Sequence, residues 1–504
     1  MYQNIENITR DIVRINQTLL LAKHARYRRW PRSIIHFIAL YFNNCCIHGF
    51  RYLVKAMLVV FEKFLWLVLL FVSIYFCIVV CLSSIDRYYT KSTHIGLERN
   101  YYFWNTTLPS VTICPMHRLD SALFADYCRK NGIKGTQKTV FWDFLENLAN
   151  STYINFQNIP ESDQIDQIIK DIGLKPEHYM DVIYNLTFDS TYDPFEQNRT
   201  RCVDGQTYIH VRQVLTEYGL CYLGNTRLGL MYSSRYLIFG KYPEFNKYEH
   251  QRKLLPHVEG SFFVPDVEYT VVGFTSPAID SYIHSAYEVM KVDANFGYTS
   301  DGMVFDPYLE EITAEDNLER HTTVSMRKCR FHHESNLTHF PFYTRNVCMQ
   351  ECRLNLAYKL CKCIPHFYPN RITNPKKVCD YKTLRSCFPR YTSNFLQLYE
   401  KNGSDKKTRV CYCEQNCIDS VVTMRTALPL LDSKELLQSI GCKVSVKRWP
   451  QNRLKRQVIF SLTDLLVSIG GTAGLFLGFS VLGLVEVLYF FTIRLIWQSL
   501  GYTL

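Results

Sequence analysis

Apolar residues along the chain gather in two long runs, with shorter periodic segments between them. From Phe64 to Ile85 the sequence FLWLVLLFVSIYFCIVVCLSSI has 22 residues and no charge. About 20 apolar residues in a helix cover the hydrocarbon of a bilayer, so this run predicts a transmembrane helix. Lys63 and Asp86 mark its ends, and Tyr88 and Tyr89 take interfacial positions. It is apolar all round rather than on one stripe, unlike the surface helix of a soluble domain. The second run extends from Val458 to Ile493 and is uncharged between Asp464 and Glu486. It is too long for one straight span, which predicts tilt, a break or an extension past the membrane.

Between the runs the periodicity is mixed. Residues 139–150 and 164–174 repeat apolar positions at helical spacing, and 340–364 read as a helix tied down by cysteines. Residues 100–115 are β-branched and aromatic and predict extended chain. Residues 262–290, rich in Val, Tyr, Phe and Ile, predict strands. The expected fold class is a membrane protein with two transmembrane helices flanking a large, disulfide-rich α+β extracellular domain. The expected limits are a cytoplasmic segment 1–63, spans 64–85 and 458–493, an outer domain 86–457 and a short cytoplasmic end 494–504.

Charge fixes the orientation. The net charge of +11 would also suit a nucleic-acid binder, but residues 1–63 hold ten Lys or Arg against three acidic residues. That bias places the segment in the cytoplasm, and with two spans both termini lie there. No nucleic-acid partner is expected. No apolar stretch begins near Met1, so the first span itself serves as the targeting signal to the plasma membrane. Lys447, Arg448, Arg453, Lys455 and Arg456 precede the second span on the outer side and oppose this orientation. A long intervening domain translocates largely regardless of its charge.

Fifteen of the nineteen cysteines fall in 86–457, where an oxidising compartment lets disulfides persist. Sequons at Asn105, Asn150, Asn185, Asn198, Asn336 and Asn402 predict glycosylation there. Asn7 and Asn16 also match, so the tripeptide alone is weak. Cys45 and Cys46 are either acylated or two free thiols. Ten cysteines form a ladder: Cys329, Cys348-x3-Cys352, Cys361-x-Cys363, Cys379, Cys387 and Cys411-x-Cys413-x3-Cys417. Four-residue spacing suits one helix face and two-residue spacing one strand face, so a helix paired rung by rung with a returning strand is geometrically easy. Spacing does not choose the connectivity. No metal site or cofactor is expected, since zinc would need reduced thiolates.

Within the second run, Asp464, Ser468, Gly471, Leu475, Gly478, Leu482 and Glu486 recur every three or four residues. Small residues let transmembrane helices pack closely, which is one reading of this stripe. The other is a pore, because ionisable groups in a span face a bundle interior or water; several copies would turn the stripe inward. An enzyme is not expected. The chain has no G-x-S-x-G, H-E-x-x-H or phosphate loop, and His332-His333-Glu334 lacks metalloprotease spacing. A two-span scavenger or lipid-binding receptor is the alternative, but it predicts a featureless second span. The acidic run Glu310, Glu311, Glu315, Asp316 and Glu319 reads as a solvated loop or a set of coupled carboxylates.

Several motifs resemble the epithelial sodium channel/degenerin family, most closely its insect pickpocket branch. His48-Gly49 resembles its gating motif. Leu108-Pro109-Ser110-Val111-Thr112-Ile113-Cys114 is similar to the strand leaving the first span, and Tyr218-Gly219-Leu220-Cys221-Tyr222 to its disulfide partner segment. The ladder from Arg327-Lys328-Cys329-Arg330-Phe331 resembles the thumb, 329–417. Gly478-Phe479-Ser480 resembles the Gly-x-Ser selectivity filter, Glu486 the acidic residue beneath it, and Val467 the degenerin gating position. The resemblance implies a hand-like outer domain with a β palm and helical thumb. It implies a trimer of identical or related subunits in the lipid bilayer, passing sodium ions in preference to other cations and blocked by amiloride. The stimulus, extracellular or mechanical, stays open. Asp464, Ser468, Gly471, Leu475, Leu482 and Glu486 would line the pore, with Phe479 at a helix interface. Implied disulfides are Cys114–Cys221, Cys329–Cys417, Cys348–Cys413, Cys352–Cys411, Cys361–Cys387 and Cys363–Cys379. Cys128 is then expected to pair with Cys202, leaving Cys442 free.

Overall fold

The computed structural model describes residues 37–45, 47–55, 58–187, 201–203, 206–210, 212–228, 232–239, 259–261, 268–274, 279–292, 297–299, 303–369, 375–401, 407–409, 411–429 and 440–499. The chain divides into two compact units, Met1–Thr93 with Val458–Leu504, and His94–Gln457.

The first unit is helical. Its longest helix, Val60–Thr90, has 31 residues and buries only Leu70 and Cys77. The helix outruns the apolar core 64–85 at both ends, because Glu62, Lys63, Asp86 and Arg87 can point their charges outward while the backbone ladder continues. The second run is not one helix. It comprises Leu462–Leu477, Val481–Tyr489, a π-turn Phe490–Arg494 and Leu495–Ser499. Among the described residues, Val60–Thr90 alone is long and apolar enough to cross a membrane. Leu462–Leu477 and Val481–Trp497 reach that measure only together, as a pair bent by 74°. A short helix over 37–44 packs Phe37 and Tyr41 against Phe490, with ring centroids 6.4 and 5.3 Å apart.

The second unit is built on two sheets. In the eight-stranded sheet, Met303–Ala314 pairs antiparallel with Asp419–Pro429 and parallel with Ile440–Ser445 and Arg453–Val458. In the five-stranded sheet, Ser110–Pro115 lies between Ile279–His284 and Gly219–Gly224. The register Ile113↔Tyr222 brings Cys114 opposite Cys221, and a disulfide closes them. Helices Ser121–Lys130, Thr136–Ala149, Asp163–Asp171 and Tyr179–Leu186 and the helix Arg345–Cys361 share one apolar core. Phe141, Phe144, Phe388 and Phe395 in that core are fully buried.

The ladder closes as Cys329–Cys417, Cys348–Cys413, Cys352–Cys411, Cys361–Cys387 and Cys363–Cys379. Cys348 and Cys352 sit one turn apart on Arg345–Cys361, whose N-cap Thr344 accepts from the Val347 N–H at 3.1 Å. The segment facing them departs from expectation. Residues 411–414 are irregular rather than a strand, and only Gln415–Asn416 pair, in parallel, with Cys329–Arg330. The disulfides there do the tethering that a strand ladder would do elsewhere.

Other expectations are corrected. Cys128 is a free thiol, 2% exposed, on Ser121–Lys130 within the apolar core, so it does not pair with Cys202. The side chains of Cys202 and Cys442 lie outside the described residues, as does Cys46. Tyr101–Phe103 form a 3₁₀ turn before the strands Asn105–Thr107 and Ser110–Pro115. The acidic run is not simply a loop: Glu310 and Glu311 belong to Met303–Ala314, and the buried Glu311 carboxylate accepts from the Thr107 N–H at 3.1 Å. Asn105, Asn185 and Asn336 are exposed. The Asn150 amide donates to the Met116 carbonyl at 3.1 Å. Asn198 and Asn402 lie outside the described residues.

Candidate functional site

The break in the second apolar run is made by three residues. Gly478 adopts φ 65° and ψ 22°, a left-handed conformation that glycine takes without Cβ strain. Its N–H donates to the Gly474 carbonyl at 2.9 Å, and the Phe479 N–H reaches back to Ala473 at 3.2 Å, closing Leu462–Leu477 in a Schellman-type end. Ser480 returns to extended backbone and caps the next helix, its Oγ accepting from the Gly483 N–H at 3.2 Å. A helix stop and a helix start are thus set back to back inside an apolar run.

His48 and Gly49 meet this break. The His48 N–H donates to the Leu477 carbonyl at 3.0 Å. A Cβ added at Gly478 would overlap the His48 ring. Gly49, at φ 95°, leaves no room either, since a Cβ there would come within 3.0 Å of Leu70 on Val60–Thr90. The two helices are also joined by Ser84 and Ser468, whose hydroxyls lie 2.9 Å apart.

The predicted stripe does not run as one line. Asp464 belongs to a capping box: its carboxylate accepts from the Ser461 N–H at 2.8 Å while Ser461 Oγ accepts from the Asp464 N–H at 3.3 Å. Ser468 faces Val60–Thr90. Gly471 opens onto free space, and Val467 and Leu475 are exposed at 74% and 83%. Leu482 and the half-buried Glu486 lie on the far side of the 74° bend, on Val481–Tyr489. One continuous helical face therefore cannot contain all seven residues. The roles of Ser461, Ser84 and Leu70 were not anticipated. Only the first had a readable signal, the spacing Ser461-x-x-Asp464 before an apolar run. Among the described residues no cluster of His, Cys, Asp and Glu could hold a metal ion.

A broken apolar run, a long apolar helix and a disulfide-laddered α+β unit suit a membrane channel, and comparison with known proteins places the chain in such a class. The family model described as amiloride-sensitive sodium channel matches residues 41–490, and the chain belongs to this family. Its members are ion channels of the plasma membrane and not enzymes. The chain is 26% identical over 182 residues to "Sodium channel protein Nach" of Drosophila melanogaster, covering 34% of this chain and 32% of that protein. It is 20% identical over 473 residues to the "Bile acid-sensitive ion channel" of Mus musculus, covering 86% and 83%. It is 24% identical over 248 residues to "Pickpocket protein 28" of Drosophila melanogaster, covering 45% and 39%. The chain thus spans about a third of the first of these relatives and most of the second.

Proposed function

We propose that this chain is a subunit of a trimeric, sodium-preferring, amiloride-sensitive cation channel, with both termini cytoplasmic and His94–Gln457 outside the cell. The observation that carries the reading is the interrupted helix at Gly478-Phe479-Ser480. At membrane depth, backbone outside a helical ladder is tolerated only where protein covers it or where it lines a water-filled cavity. Glycine leaves backbone carbonyls accessible there and serine adds a hydroxyl. A ring of three copies replaces part of a small cation's hydration shell. Val60–Thr90 and the bent pair Leu462–Leu477 and Val481–Trp497 supply the two spans of each subunit. Exposed apolar side chains such as Leu475 and Val481 require lipid or a neighbouring subunit to cover them. His48-Gly49, lodged against the break, acts in gating. Asn105, Asn185 and Asn336 carry glycans more readily than Asn150, whose amide is already bonded.

Whole-cell recording tests the filter. Ser480→Ala and Ser480→Cys shift the reversal potential when sodium is exchanged for potassium. Ser480 also caps a helix, so its loss destabilises by about 0.5–2 kcal/mol, and currents are compared at matched surface expression. Normal current with an unchanged reversal potential in both variants refutes the filter assignment.

A further inference from the structure

Charge in the second unit is segregated along the chain. Residues 94–352 hold 23 Lys or Arg against 33 Asp or Glu, whereas residues 353–410 hold 13 against three. The shorter segment thus carries a net charge of +10 and the longer one −10. Folding cancels part of this difference. Arg353 pairs with Glu217 at 2.6 Å, Lys382 with Asp166 at 2.5 Å and Arg385 with Glu161 at 3.2 Å.

Four other lysines gather at the end of the helix Arg345–Cys361. Lys359 in its last turn and Lys362 at its left-handed C-cap are exposed. Lys376 and Lys377 are brought alongside them by a separate segment. There the Ile364 N–H donates to the Lys377 carbonyl and the Cys379 N–H to the Ile364 carbonyl, both at 2.9 Å, and the Cys363–Cys379 disulfide locks the pairing. Lys376 donates to Asn355 Oδ1 at 2.6 Å and lies 5.8 Å from the centre of the Tyr358 ring, so it rests on the exposed side of the same helix. Glu351, whose charge acts on Lys376, is buried and accepts from the Thr338 and His339 N–H groups at 2.9 Å. Asp380 caps the helix Tyr381–Cys387 through the Thr383 N–H at 2.8 Å.

A helix C-terminus favours cations close to it, which accounts for Lys359 and Lys362. It does not account for Lys376 and Lys377, and four like charges on one patch repel one another. The disulfide fixes where the stems begin, so a multivalent anion meets a surface already assembled. Lysines are point charges on flexible stems and answer charge density more than fixed geometry. The ring of Tyr358, 42% exposed, adds a flat apolar face among them on which a sugar ring can lie.

We propose that this face binds a sulfated polysaccharide outside the cell, its sulfate groups pairing with Lys359, Lys362, Lys376 and Lys377. The proposal rests on the placement of His94–Gln457 outside the cell, where sulfated polysaccharides rather than nucleic acids are the abundant polyanions. The competing occupant is the acidic surface of a second copy of the chain.

Binding of heparin to the full chain in nanodiscs of uncharged-headgroup lipid tests it. The native chain binds heparin saturably and desulfated heparin at least tenfold more weakly. Its heparin affinity falls about a hundredfold between about 50 and 200 mM salt, as release of counterions by four lysines requires. Changing Lys359, Lys362, Lys376 and Lys377 together to Gln removes at least nine-tenths of the affinity. Changing Arg26, Arg28, Arg29 and Arg32 to Gln in the basic segment 1–63 alters it less than twofold. Equal affinity of the native chain for heparin and desulfated heparin overturns the proposal, as does binding that survives the four lysine changes. Dissociation of the oligomer by those changes with heparin affinity intact assigns the face to a second copy and overturns it too. The comparison of the two heparins on the native chain decides the matter even where a variant fails to fold. Fluorescent heparin then stains intact cells bearing the native chain and not those bearing the lysine variant at matched surface level. Binding in nanodiscs without staining of intact cells overturns the outside placement, whereas no binding in nanodiscs overturns the site itself.

Discussion

The two units solve opposite packing problems. His94–Gln457 buries its own apolar surface: Phe141, Phe144, Tyr343 and Phe388 are all at 0% exposure, and six disulfides among the described residues close within it. The helices of the other unit leave Val60, Leu475 and Val481 more than 80% exposed. Full burial of one such side chain is worth about 1.5–3 kcal/mol, so in water this unit would be untenable. One unit is completed by its own sequence. The other leaves these faces uncovered within the single chain. Substitutions in the first therefore act through folding and delivery, and substitutions in the second through what the assembled protein does.

The largest effect falls on the buried ion pair of the second unit. Arg353 and Glu217, 5% and 3% exposed, form a bidentate pair at 2.7 and 2.6 Å. Tyr368 donates to Glu217 at 2.5 Å, and its hydroxyl lies 2.7 Å from that of Tyr153. Glu217→Ala strands a buried guanidinium and costs about 3–5 kcal/mol. Surface biotinylation then shows the variant retained inside the cell, with an early thermal transition. Replacing both partners, Glu217→Gln with Arg353→Met, restores much of the loss. Normal delivery of Glu217→Ala breaks the claim that this unit stands on its own core.

A second test of that unit uses pH. Glu288 is buried, and burial together with the Asp419 carboxylate pushes its pKa up to about 8. Asn416 bonds it at 2.6 Å, Thr344 and Lys291 partly offset the rise, and the Asn346 N–H lies 3.4 Å away. Because the folded pKa exceeds the unfolded one, folding is favoured by protonation. The stabilisation is fully present below the unfolded carboxyl pKa and fades as pH rises through about 8. The thermal transition of the native chain therefore falls from pH 5 toward pH 8 by more than that of Glu288→Gln, which mimics the protonated acid. Equal slopes refute this.

Much of the architecture is legible in residue pattern, and what is not has identifiable causes. Runs of apolar residues mark Val60–Thr90 well because nothing competes with helix in a long uncharged stretch. In the second run, length predicts tilt, a break or an extension, but the apolar run continues through Gly478 and does not show where a break falls. The local signal is a glycine followed two residues later by a serine able to cap a helix, and a straight stripe from Asp464 to Glu486 does not use it. Helical spacing of Cys348 and Cys352 is local and visible. The irregular path of 411–414 is not, because disulfides fix it from outside. Arg353 and Glu217 are 136 residues apart in sequence, and no local pattern announces such a pair.

The helical unit responds differently at Gly478. Alanine there keeps a left-handed backbone at about 1–2 kcal/mol, and overlap with His48 adds about 1–3 kcal/mol of overpacking. Surface delivery falls less than in Glu217→Ala while current is lost, and His48→Ala in the same chain recovers part of the current by removing the overlap. Loss of delivery equal to that of Glu217→Ala would erase the contrast between the units.

The smallest effect concerns Val467, which is 74% exposed on Leu462–Leu477, eleven residues before Gly478. In the single chain nothing packs against most of this side chain, so its energetic weight comes from neighbours in the assembly. On the channel reading, a β-branched side chain near the closed gate crowds the tight state more than the wide one. A difference of about 1.4 kcal/mol changes the open/closed ratio tenfold. The native chain then carries amiloride-sensitive resting current, and Val467→Ala and Val467→Ser reduce it severalfold at matched surface expression without altering thermal stability. Negligible resting current in the native chain, unchanged in both variants while a stimulus still opens them, would mean that the neighbouring residues already accommodate valine and that this position does not set the closed state.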